Sequence, residues 1–167
     1  MKTGSAFLAG VVGGAIMSAI MFMARTVMGM EVKLELLLGT MIGLEPGTTA
    51  WIVGFVLHLV ISGLIALAYA WAFENVLHRA NAGAGMLVAL VHIVVAGVFM
   101  GLMPMVHPLV PEMMPGPGFF MLNLGAMGLV AFVLLHLIYG AIVGAMYGPT
   151  LAGSTVGAPA AHTRPAV

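Results

Sequence analysis

Residues 49–73 read TAWIVGFVLHLVISGLIALAYAWAF, a run with no charged residue and with aliphatic side chains at nearly every helical phase. A helix that is apolar all round is either deeply buried or crosses a membrane. About 20 such residues cover a hydrocarbon core of ~30 Å. Trp51 and Trp71 stand 20 residues apart in this run. That is ~30 Å along a helix, the spacing of two aromatic anchors at opposite interfaces.

Working outward from this run, three further stretches have the same character. The sequence therefore predicts an all-α polytopic membrane protein with four transmembrane helices, at about Ser5–Ala24, Thr49–Phe73, Gly85–Met105 and Phe119–Gly148. Residues 1–148 form the expected four-helix bundle. The remainder, 149–167, is rich in Gly, Ala, Pro, Ser and Thr and is expected to be a disordered tail. Composition agrees: of 167 residues 62% are hydrophobic and 6% charged, against about 25% charged in soluble domains. Such a chain cannot cover a water-facing surface, which excludes a soluble enzyme and a disordered protein. Zero net charge leaves no basic patch for nucleic acid. The absence of Cys excludes disulfides and thiolate chemistry.

The bias of Lys and Arg in the loops sets the expected orientation. With the N-terminus inside, the inner side carries Lys2, Arg79 and Arg164, and the outer side Arg25 and Lys33. Both termini are therefore expected in the cytoplasm of a bacterial inner membrane. The first span is longer than a typical signal-peptide core and no small-x-small cleavage site follows it, so it is read as a retained helix. Between the first two spans, Glu31–Glu45 has the pattern of a short helix lying on the outer interface. The loop Pro104–Gly118 is stiffened by Pro104, Pro108, Pro111, Pro115 and Pro117.

An offset of 78 residues places Leu57-His58-Leu59 on Leu135-His136-Leu137 and Tyr69 on Tyr147. An offset of 83 places Gly14 on Gly97 and Met17 on Met100. The chain thus reads as two repeated helix hairpins in parallel. Stripes with a four-residue period run through Gly54, His58, Ser62, Ala66 and Ala70, and through His136, Gly140, Gly144 and Gly148, each a histidine among small residues. Such stripes let helix backbones approach closely. The closing segment, His136-Leu137-Ile138-Tyr139-Gly140 with Gly144, Tyr147 and Gly148, resembles the last helix of uncharacterised small four-helix bacterial inner-membrane proteins. That resemblance implies a topology and a bacterial source, and carries no catalytic residue.

Three histidines, His58, His92 and His136, lie within spans, and an ionisable group there marks a candidate site. One reading is a neutral imidazole hydrogen-bonded across helices. Another is a b-type haem ligated by His58 and His136, with Gly54, Ser62 and Gly140 making room and His92 nearby. A proton path through the histidines and tyrosines is a third. All methionines except Met1, Met86 and Met146 fall in the expected outer half. Met103, Met105, His107, Met113 and Met114 form a soft ligand set suited to Cu(I); the alternative is methionine filling irregular apolar gaps. No nucleotide-binding loop, zinc-protease motif or catalytic triad is present, and Asp is absent. Enzymatic chemistry is not expected. The leading expectation is a non-catalytic accessory subunit of a larger respiratory or redox membrane complex, packed against other membrane subunits or its own copies. The alternative is a haem- or copper-binding protein in electron transfer or copper handling.

Overall fold

The computed structural model describes residues 1–29 and 33–156, with side chains omitted at 28 and 154–156. Among the described residues six α-helices follow one another: α1 (Thr3–Met28), α2 (Leu34–Met41), α3 (Thr48–Ala72), α4 (Ala82–Gly101), α5 (Met103–Val106) and α6 (Gly125–Val156). A π-helical turn, Phe73–Leu77, extends α3, and a 3₁₀ turn, Phe119–Leu124, leads into α6. No strand occurs among the described residues. Among the described residues four helices are long and apolar enough to cross a membrane: Thr3–Val27, Thr48–Leu77, Ala82–Gly101 and Phe119–Gly153.

The helix boundaries follow local chemistry. Gly29 ends α1 in the left-handed conformation at φ 66°, where a Cβ would be strained. Asn81 caps α4, its side chain accepting the Ala84 N–H at 2.9 Å. The third span stops at Gly101, short of the expected Met105, because Pro104 opens the separate turn α5. The fourth starts as regular helix only at Gly125, since Phe120 and Met121 take left-handed backbone angles. At its far end α6 continues through Pro149 to Val156. The expected disordered tail is thus helical over its first part, and 157–167, with Arg164, lie outside the described residues.

The four long helices form a square. α1 lies along α3 and α6, α4 along α6, and the fourth side, α3 against α4, is loose. The core is made of alanines and aromatic rings: Ala6, Ala9, Ala66, Ala70, Ala84 and Ala89 surround Tyr69, Phe73, Tyr139 and Tyr147. Within each hairpin the backbones almost touch. Ser62 sits against Gly10 and Gly14, and Gly140 against Gly85 and Ala89; a Cβ on Gly10 or Gly85 would overlap backbone of the facing helix. These contacts match α1 to α4 at an offset of 75, not the 83 read from the sequence. Gly97, the expected counterpart of Gly14, faces the Phe120 ring.

α2 departs most from expectation. It is folded onto α3, with Glu35, Leu37, Gly39 and Thr40 buried. Gly39 rests on the backbone of Ala50, and Gly54 on the carbonyl of Glu35. Small residues on both helices remove the side-chain layer that would have held α2 away.

Candidate functional site

The candidate histidines are placed by hairpin. On α3, His58 Nδ1 is hydrogen-bonded to Ser18 Oγ of α1 at 2.9 Å. On α6, the His136 Nδ1–H donates to the Phe132 carbonyl at 2.7 Å, which fixes its tautomer. The His136 ring lies 4.7 Å from His92 of α4, edge to face. His92 Nδ1 is 3.1 Å from the Tyr69 hydroxyl. Tyr139 packs edge-on against both Tyr69 and His92, and its O–H donates to the Ser62 carbonyl at 2.5 Å. The structure therefore brings together His92, His136, Tyr69 and Tyr139, while His58 bonds Ser18 and stays within electrostatic reach of His136.

This arrangement bears on the haem reading. The small residues expected to admit a porphyrin between His58 and His136 are already filled. Glu35 backbone covers Gly54, α1 covers Ser62, and Gly85 with Ala89 covers Gly140. The residues present do not fit a porphyrin lodged there. Their smallness serves close helix packing.

The methionine-rich loop divides in two. Met103 and His107 are buried and Met114 packs beside them with Met41 and Met100. Met105 and Met113 are 80% and 72% exposed and point away. His107 is held at both ring nitrogens. Its Nδ1 accepts the Leu109 N–H at 3.1 Å, so Nε2 carries the proton and donates to the Leu37 carbonyl at 3.0 Å. Thr40 Oγ1 adds contacts to His107 Nε2 at 3.2 Å and to Met114 Sδ at 3.6 Å. A ligand imidazole must present a lone pair, and His107 offers none without breaking these bonds. It is a strut tying the loop to α2. No cluster of three or more His, Cys, Asp or Glu able to hold a metal occurs among the described residues.

Two polar residues gain a place that the sequence did not reveal. Glu35, read as interfacial, is 7% exposed and within electrostatic reach of His58. Thr40 is fully buried at the loop junction. The available signal was Glu35-x-x-x-Gly39, which puts the carboxylate on the helix face that carries the close-packing glycine. At the opposite end Tyr147 O–H donates to Glu74 Oε1 at 2.6 Å, and Glu74 Oε2 lies 3.0 Å from the Met1 amine.

No family model, curated protein or solved structure matches this chain. The likeness of the closing segment to small inner-membrane proteins rests on that segment alone.

Proposed function

We propose that the chain is an integral protein of a bacterial inner membrane, with both termini cytoplasmic, that serves as a non-catalytic accessory subunit of a larger membrane complex. The observation that carries this reading is the division between interior and surface. The imidazoles of His58, His92, His107 and His136 all turn to partners within the chain. The surface they leave behind is aliphatic, as along α4, where Leu87, Leu90, Val91, Val94, Val95 and Val98 are exposed. A water-soluble protein would not expose so long a stripe.

The placement of charge supports the assignment of residues to the two ends that this orientation uses. Lys2 and Glu74 share one end through Tyr147, and Arg25 and Lys33 share the other beside Trp51. The matched contacts Gly10–Ser62 and Gly85–Gly140 support an origin of the two hairpins by duplication.

Native electrophoresis of membranes solubilised in a mild detergent tests the assignment. The 17.2 kDa chain is expected to migrate with a much larger assembly, and Val91→Trp with Val95→Trp is expected to release it. Migration as a free monomer in both forms would refute the subunit reading. A cysteine introduced at Ala82 should label only from the cytoplasm; periplasmic labelling would invert the topology.

A further inference from the structure

A cleft of about 320 Å³ opens between α1, α2 and α3, with Ser18, Phe22, Arg25, Glu35, Trp51 and Phe55 among its walls. It runs into a second groove of about 480 Å³ that shares Phe22, Arg25 and Trp51 and adds Lys33 and Thr48. The charges in this paired cleft are graded by depth: Glu35 is buried, Arg25 half-buried and Lys33 exposed. Among the described residues no cation lies within ion-pair distance of the Glu35 carboxyl group and no hydrogen bond reaches it. His58, its electrostatic neighbour, is already engaged by Ser18. Glu35 is 7% exposed and lines the cleft, so its carboxyl oxygens keep their hydrogen-bonding capacity for a ligand there. Arg25 lines the same cleft without pairing with Glu35.

The cleft thus holds an unpaired carboxyl group at its floor and two basic side chains toward its mouth. Its complement is a zwitterion that enters ammonium first. The walls add a second requirement. Trp51 and Phe55 stack with ring centroids 5.9 Å apart and planes within 3°, and Phe22 is an exposed apolar flank. A ligand with an apolar body continuing past the cations fits these surfaces; a small, fully hydrated solute does not use them.

We propose that this cleft binds the headgroup of a zwitterionic aminophospholipid. The primary ammonium donates to Glu35, the phosphodiester lies at Arg25 and Lys33, and an acyl chain runs along Phe22 and Trp51. The inference rests on the membrane location proposed above and goes beyond the subunit role. The same pairing of ammonium and phosphate exists in soluble phosphoethanolamine, and the apolar flank assigns the site to the lipid.

Native mass spectrometry of the full chain, released from detergent and titrated with defined lipids, tests it. Phosphatidylethanolamine is expected to bind roughly tenfold more tightly than phosphatidylglycerol, which has no ammonium, or phosphatidylcholine, whose quaternary amine has no N–H to donate. Glu35→Gln should erase that preference. Arg25→Gln, at the half-buried mouth, should weaken both phosphatidylethanolamine and phosphatidylglycerol. Glu112→Gln, on the exposed loop, should leave the preference intact. Equal binding of the three lipids by the wild type, or a preference that survives Glu35→Gln, would overturn the proposal. Displacement of the lipid by an equal concentration of phosphoethanolamine would overturn the lipid assignment. A separate alkaline carbonate wash checks location: release of the protein into the supernatant would defeat the membrane reading itself.

Discussion

The two hairpins are built on one lock and use it differently. In both, a small residue of the second helix fits between two small residues of the first: Ser62 between Gly10 and Gly14, Gly140 between Gly85 and Ala89. Above that lock the chemistry diverges. In the first hairpin the histidine of the second helix meets a serine, His58 on Ser18. In the second it meets another histidine, His136 against His92, and the contact spreads to Tyr69 and Tyr139. Packing between the hairpins is also one-sided, close where α1 meets α6 and loose where α3 meets α4. Backbone proximity is the shared element, and the polar interior is what each hairpin has made its own.

The largest test of this comparison removes the lock. Gly85→Leu is expected to cost about 3 kcal/mol or more, since backbone on the facing helix cannot yield to a side chain. Gly10→Leu should behave alike if the two locks are equivalent. Gly4→Leu, where nothing lies within 4 Å of an added Cβ, should change stability by no more than about 0.5 kcal/mol. Unfolding in mixed micelles reads all three.

Smaller effects separate the polar interiors. His92→Ala should cost about 2 kcal/mol, because it removes the ring contact to His136 and the hydrogen-bond partner of Tyr69 together. Tyr139→Phe deletes the bond to the Ser62 carbonyl that ties the hairpins, and should cost about 1 kcal/mol. Ser18→Ala should cost least, about 0.6 kcal/mol, the ordinary value of one interhelical hydrogen bond in a membrane. Equal costs for Ser18→Ala and His92→Ala would erase the asymmetry described here.

The sequence disclosed the four long helices because an uncharged apolar run of that length has few other fates. It also disclosed that the small-residue stripes would meet a neighbour. It did not disclose which neighbour. The offset of 78 pairs His58 with His136, and the hydrogen bonds of the two rings run to Ser18 and to the Phe132 carbonyl, groups that the offset does not indicate. Each ring contacts the other helix of its own hairpin, at Ser18 or at His92, and His58 stays within electrostatic reach of His136. Glu35 was hidden for another reason. Read alone, a short helix with Lys33 and Glu35 near its start looks like a surface element. Only Gly39 and Gly54, meeting from separate helices, allow it to sink. The methionine loop was half legible. Met103 and Met114 do converge with His107, but the hydrogen bonds that consume the imidazole come from Leu37, Thr40 and Leu109. Nothing in the spacing of the loop points to those partners.

The seating of α2 has a structural consequence. Along one side it presses backbone to backbone on α3, at Gly39 and at Glu35. Along another it is pinned to the proline-rich loop by His107, through the Leu37 carbonyl and the Thr40 hydroxyl. The short helix is thereby a shared wall: on one side it closes the cleft at Glu35, and on the other it backs the buried Met103 and His107. Neither the cleft nor the loop is complete without it.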